Sequence, residues 1–271
     1  PASLWDFMAR CHLAGRVISA LCGAALVVLV YLAVLRIGNR FGAELAGLAA
    51  VFAPGMVVHS RFQTTDMLAT ALFAGACYVA IRLSEEAVAN PLKLAASGGM
   101  LAGLAAGTKY TGILAVLSLV LASFLVKRAT RTKEMAVSVA SSLAGFVIGT
   151  PGVLLDSSAF MRDFQYEMLH TSTGHGLVFE GLPPGFFYHI GNLLLTLSPL
   201  IVAIGGIGLI YAAVRKQPWS LVLGISFLAY YILIGRAEVL FLRYVFPLAF
   251  AVLVRFGFLV SIAHERKGRW L

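Results

Sequence analysis

Two uncharged apolar runs, Leu45 to Val58 and Met67 to Ile81, flank one polar cluster, His59-Ser-Arg-Phe-Gln-Thr-Thr-Asp66. Neither run fits the surface of a soluble domain, and similar runs recur to the end of the chain. With 60% hydrophobic and 12% charged residues and a mean hydropathy of +0.90, the composition excludes an ordinary soluble domain. It predicts an all-α, polytopic transmembrane bundle. Apolar stretches at about 13–35, 43–58, 67–81, 94–108, 110–126, 135–155, 188–214, 219–235 and 244–263 predict about nine membrane segments. Residues 1–271 read as a single integral-membrane domain. The chain opens at Pro1, and its first twelve residues read as the end of an amphipathic segment, which predicts an N-terminally truncated fragment.

The placement of positive charge predicts orientation, because cytoplasmic loops retain Lys and Arg. With the first helix running inward, 13 of the 21 basic residues fall in inner loops, among them Arg36, Arg40, Lys127, Arg128 and Arg215, and six fall outside. The C-terminus is then cytoplasmic. The net charge of +9 is thereby assigned to short loops beside an anionic leaflet, which excludes nucleic acid as the partner and leaves membrane lipids. Asp66, Asp156, Asp163, Glu167 and Glu238 fall outside, as do His59, His170, His175 and His189, so any chemistry faces away from the cytoplasm. Cys11, Cys22 and Cys77 offer no disulfide framework. The long outer connection from Asp156 to Phe187 carries Phe160, Phe164, Tyr166 and Leu169 among charges, the pattern of an interfacial helix.

Candidate chemistry lies in these outer segments. Asp66 precedes an uncharged helix, where a carboxylate either caps the helix or serves a site, binding a metal, orienting a hydroxyl or taking its proton. His59, seven residues earlier, is a ligand, a phosphate donor or an interfacial residue. Gly103-Leu-Ala-Ala-Gly-Thr-Lys109-Tyr-Thr-Gly112 is a glycine-rich turn, in which Lys109 either snorkels or meets a lipid phosphate. Phe241-Leu-Arg243-Tyr-Val-Phe-Pro247 opens the last helix with a second cation, and Thr173-Gly-His175-Gly is flexible and polar.

These segments, in this order, resemble the glycosyltransferase C superfamily, and within it the relatives of protein O-mannosyltransferases and of the transferase that adds aminoarabinose to lipid A. The resemblance rests on Arg16, the cluster His59 to Asp66, Gly103 to Gly112, Thr150-Pro151, Thr173 to Gly176 and Arg243 to Pro247. It implies a glycosyltransferase of the bacterial plasma membrane. Such an enzyme moves a hexose or pentose, with inversion, from a polyprenyl-phosphate carrier to a lipid, glycan or protein acceptor at the outer face. Asp66 then corresponds to the second of two outer-loop acids and is the catalytic candidate; the first acid has no match in this chain. His59, Arg61, Lys109, Tyr110, His175, Arg243 and Tyr244 are the substrate-binding candidates, and a divalent cation is the one cofactor such acids could hold. The alternatives are a secondary transporter or a noncatalytic protein that binds a lipid-linked glycan.

Orientation is checked by single cysteines introduced at Ser158 and Thr130. Ser158→Cys is expected to react with an impermeant thiol reagent in intact cells and Thr130→Cys only after lysis; labelling of Thr130→Cys in intact cells reverses the topology.

Overall fold

The computed structural model describes residues 3–174 and 176–267, and among them every regular element is helical. In chain order these are α1 (Leu4–Ile37), α2 (Arg40–Val51), α3 (Pro54–His59), α4 (Thr65–Leu83), α5 (Pro91–Thr108), α6 (Ala115–Leu125) and α7 (Arg131–Gly149). There follow α8 (Gly152–Leu155), α9 (Ser157–Thr173), α10 (Gly185–Leu197), α11 (Pro199–Val214), α12 (Pro218–Gly235) and α13 (Phe246–Lys267). Short 3-10 turns at Tyr110–Leu114, Gly176–Phe179 and Leu242–Val245 complete the backbone.

The chain is an integral membrane protein. Four helical stretches are long and apolar enough to cross a bilayer: Leu4–Ile37, Thr65–Leu83, Pro218–Gly235 and Leu242–Arg266. The pair α10 and α11, bent by 112° between them, makes a fifth if it crosses as one span. The sequence predicts about nine segments; those at 94–108 and 110–126 form α5 and the shorter Tyr110–Leu125 stretch, and three others are interrupted at prolines. Proline lacks the N–H that continues a helix and pushes its predecessor out of the α region. Ala53 before Pro54 (ψ 109°), Thr150 before Pro151 (ψ 66°) and Ser198 before Pro199 (φ 78°, ψ 150°) are all displaced in this way. They cut three predicted segments into α2 and α3, α7 and α8, and α10 and α11.

α4 and the first half of α13 form the buried centre, with Met67, Ala74, Ala76 and Ala80 of one and Phe246, Ala249, Leu253 and Val254 of the other almost fully covered. α5 and α7 pack through small residues. A Cβ on Gly99 would run into the Ser138 carbonyl oxygen, one on Gly103 into that of Ser142, and one on Gly145 into that of Met100. The spacing of Gly99, Gly103 and Gly107 puts these glycines on one face, so the two backbones approach as they do where small residues recur every fourth position in membrane helices.

The bundle has two distinct ends. At one, Arg36 at the end of α1 pairs with Glu85 after α4. Arg128 there donates to the Leu83 and Glu85 carbonyls and pairs with the fully buried Glu134 at 2.7 Å. The Asn39 side chain, nearby in the chain, donates to the Ser261 carbonyl near the end of α13. At the other end lie the start of α4, the turn after α5 and the start of α13. Ser19 ties α1 to that end through the Thr64 carbonyl. Charges therefore gather at both ends and, apart from Arg255 within α13, leave the middle apolar, as a membrane requires.

Gly103→Ala is expected to wedge α5 from α7 and cost about 1–3 kcal/mol, the range for overpacking, read as a lower melting temperature of the purified protein. Gly152→Ala, which meets no atom within 4 Å, is the matched control. Equal stability of the two variants would contradict the packing described.

Candidate functional site

Asp66 is the second residue of α4, after Thr64 in extended conformation (φ −133°, ψ 155°). Its carboxylate caps no backbone N–H and instead turns inward, 6% exposed. There the positive end of the helix favours its charge. Lys109 Nζ lies 2.7 Å from Asp66 Oδ1, and Arg243 Nε lies 3.5 Å from Asp66 Oδ2. One carboxylate thus holds two cations from distant parts of the chain.

Local structure explains how each cation arrives. α5 ends at Thr108, Lys109 is extended (φ −154°, ψ 121°), and the chain folds straight back into the 3-10 turn. Lys109 N–H donates to the Ala105 carbonyl and the Lys109 carbonyl accepts from Gly112 N–H. The fold-back presses Gly112 onto the Ala105 backbone, where no Cβ fits, so glycine is required there for close approach. Arg243 lies in the 3-10 turn ahead of α13, with its guanidinium 4.1 Å from the Phe241 ring centre. Tyr244 follows, and Lys109 Nζ sits 4.2 Å from its ring centre, so the ammonium meets both a carboxylate and an aromatic face. Burial pushes the Lys109 ammonium down from its ordinary pKa and Arg243 adds to this, while Asp66 pulls it back up.

Tyr110 is the anchor of the outer helix α9. Asp156 caps α9 by accepting from Ala159 N–H, and Phe160 and Phe164 meet the Tyr110 ring at 6.3 and 5.0 Å. Thr171 near its end accepts a backbone bond from Glu238. α9 is therefore held against the turn that carries Lys109 and Tyr110. A cavity of about 330 Å³ opens beside Lys109 and Tyr110, walled by Thr65, Thr150 and Glu167 among others. A smaller one of about 110 Å³ runs from Lys109 and Glu167 toward Tyr230 and Tyr244. Against Asp66 itself the free space is about 10 Å³, room for about one water.

Of the candidates named from the sequence, the structure brings together Asp66, Lys109, Tyr110, Arg243 and Tyr244. His59 is turned elsewhere: its Nδ1–H donates to the Gly55 carbonyl and its ring packs on Phe246 at 4.8 Å. Arg61 is exposed and borders a separate groove of about 370 Å³ between α1 and the α2–α3 segment. His175 lies outside the described residues. A divalent cation does not fit at Asp66, whose two oxygens already face two cations. Among the described residues, no three His, Cys, Asp or Glu side chains converge to hold a metal. Glu167 and Tyr230 belong to the site and are not among the candidates named from the sequence. Phe160, Phe164, Glu167 and Thr171 fall at helical spacing on one face of α9, which is the readable signal for Glu167.

The chemistry available here is anion binding next to an apolar phase: two fixed cations, one carboxylate that keeps them in register, and cavities open at Lys109. A sequence model of the family described as dolichyl-phosphate-mannose-protein mannosyltransferase matches residues 8–154, which include Asp66 and Lys109. The fold is similar to that of ArnT from Cupriavidus metallidurans bound to undecaprenyl phosphate, at 20% identity and a TM-score of 0.71 over 93% of this chain and 46% of that one. It is also similar to the archaeal oligosaccharyltransferase AglB from Archaeoglobus fulgidus in complex with an inhibitory peptide and a dolichol-phosphate. There the identity is 15% and the TM-score 0.63, over 93% of this chain and 40% of that one. The chain spans less than half the length of these solved relatives. No curated protein matches it.

Removing either partner of a buried ion pair strands the other, at about 1–3 kcal/mol or more for charged groups. Asp66→Asn and Lys109→Met are each expected to destabilise the protein to that extent in thermal unfolding. The double variant should lose less than the sum, with a coupling of about 0.5–3 kcal/mol. Additive losses would mean that the two side chains do not interact, and a silent Asp66→Asn would reduce Asp66 to a helix-end residue.

Proposed function

We infer, because the chain belongs to the dolichyl-phosphate-mannose-protein mannosyltransferase family of the glycosyltransferase C superfamily, that it binds a polyprenyl-phosphate-linked sugar and serves transfer of that sugar to an acceptor. The observation that carries this reading is the convergence of Lys109 and Arg243 on Asp66 at one end of a membrane bundle. A lipid-linked donor keeps its chain in the bilayer and its phosphate at the boundary. That is the depth at which Lys109, beside open cavities, and Arg243, joined to it through Asp66, have a use. The complexes of ArnT with undecaprenyl phosphate and of AglB with a dolichol-phosphate support the same class of carrier.

In the proposed reaction the bond from the sugar's anomeric carbon to the phosphate oxygen breaks, and its electron pair stays on the phosphate. An acceptor oxygen forms the new bond from the opposite face, and its proton passes to a basic group or water. Charge builds on the leaving phosphate, so cations placed there stabilise the transition state more than the ground state. Lys109 and Arg243 take that role. Asp66, the catalytic acid expected from the sequence, acts in this geometry through the two cations it positions, since both of its oxygens are already engaged. Without it the cations would repel each other; with it the trio retains one net positive charge for an anion. Tyr110 and Tyr244 shape the cavities around Lys109. The end that carries the site is placed outside the cytoplasm by the distribution of Lys and Arg in the sequence.

Binding of undecaprenyl phosphate to the purified protein in nanodiscs tests the reading. Lys109→Met and Arg243→Gln should each weaken binding by about 10- to 100-fold, as expected for the loss of a charge-assisted contact of about 1.5–3 kcal/mol, in variants whose helical content is unchanged. Wild-type affinity in both would leave these residues as structural partners of Asp66 and sink the proposal.

A further inference from the structure

The two larger cavities that reach Lys109 also reach Glu167, whereas the small space against Asp66 does not. Wherever in the two larger cavities a phosphate meets Lys109, it shares the space with the Glu167 carboxylate. Glu167 is solvent-exposed at the rim of these cavities, and among the described residues none of the ion pairs includes it. Its backbone is nevertheless fixed. Thr171 Oγ1 donates to the Glu167 carbonyl at 2.8 Å, the Phe160 and Phe164 rings hold α9 on Tyr110, and Glu238 N–H donates to the Thr171 carbonyl. The carboxylate is near enough to Lys109 to raise the pKa of its ammonium, against the effect of burial. The other groups that face it are Tyr110 of the turn after α5, Tyr230 of α12 and Tyr244 ahead of α13. Asp163 and His170 lie on α9 itself and Glu238 on the adjoining stretch of loop.

The two larger cavities are lined by one cation, Lys109, and one carboxylate, Glu167, while Arg243 and Asp66 meet Lys109 in the smaller space beside them. Asp66 is committed to the cations, so Glu167 is the carboxylate that an arriving anion feels as repulsion. Repulsion grows with the charge of the visitor. A sugar-bearing phosphodiester carries one negative charge. The monoester left after transfer carries about −1.5 to −2 near pH 7, because its second ionisation lies near pH 6. We propose that Glu167 sets the charge selectivity of this phosphate site, weakening the doubly charged monoester more than the singly charged diester and so favouring release of the spent carrier over the loaded one. This rests on the reading of Lys109 and Arg243 as partners of the phosphate. Glu167 acts as a positioning residue of the field, through space, and takes no part in bond making.

The test compares undecaprenyl phosphate with its methyl diester, binding to the intact protein in nanodiscs at pH 8 and pH 5. In Glu167→Gln the monoester should gain affinity at pH 8 by about tenfold and the diester by about threefold, an order of magnitude set by one unit charge at close range with partial screening. The ratio of monoester to diester affinity therefore rises at pH 8. It stays at its wild-type value at pH 5, where both esters carry one charge. Glu167→Lys, exposed and free of packing demands, should move the ratio further in the same direction. A purely structural role for Glu167 would change both esters alike at both pH values. An unchanged ratio at pH 8 in both variants, with Lys109→Met still weakening binding, overturns the proposal while leaving the phosphate site standing. Wild-type binding that ignores Lys109→Met and Arg243→Gln overturns the phosphate site and this proposal with it.

Discussion

The carboxylate of Asp66 decides how one end of this bundle is assembled. It lies at the start of α4, it is almost fully buried, and the residues that neutralise it come from positions 43 and 177 residues further along the chain. A charge in that setting is tolerated only when paired, so α4, the turn after α5 and the turn before α13 must meet there. Local chemistry makes the meeting possible. Gly112 lets the chain double back against Ala105, and the 3-10 turn at Leu242–Val245 brings Arg243 in ahead of the last helix. The aromatic face of Tyr244 then fixes Lys109 from a second side. Removing Asp66 would therefore loosen three elements at once, and the expected stability loss and the expected loss of phosphate binding share one cause.

That arrangement also explains why the outer helix α9 matters. Its anchor is the Tyr110 ring, the residue next to Lys109, so the position of α9 and the position of the cation are mechanically linked. Glu167 is carried to the cavities by the same contacts. The site is thus built from one rigid helix end and three surface segments, a construction that places binding groups on loops and steadies them from the bundle.

Much of this site is legible in the amino-acid sequence. Asp66, Lys109 and Arg243 stand out because ionisable residues beside apolar runs are costly, and Gly112 because a glycine-rich interruption of such a run signals a turn. Asp66 and Lys109 fall within residues 8–154, which the family model matches, and Arg243 lies beyond them. Convergence is not legible: nothing in the sequence says that Lys109 and Arg243 share one carboxylate, or that His59 turns away to Gly55 and Phe246. Part of the difference between about nine expected segments and four or five long apolar spans has a plainer reason. Hydropathy averages over a proline and sees continuity, whereas Pro54, Pro151 and Pro199 each remove a donor and displace the residue before it, so apolar stretches that look single are bent or divided.

Arg255 shows why burial of a charge is not by itself a mark of function. It lies in the interior of α13, 1% exposed, and it is one of the few charges that fall inside an apolar run. Its guanidinium donates to the Ala251 and Ser220 carbonyls and faces the Phe227 ring at 5.5 Å. Those contacts cross-link α13 to α12 in a packed region, and none of the described cavities reaches it. Lys109 differs in one respect: it borders open volume as well as its partner. A charge that is enclosed holds helices together, whereas one that is paired and still borders a cavity keeps a direction in which a ligand can compete. On that distinction the proposed recognition is assigned to the end of the bundle that carries Asp66, Lys109, Arg243 and Glu167, and the buried arginine within α13 falls to architecture.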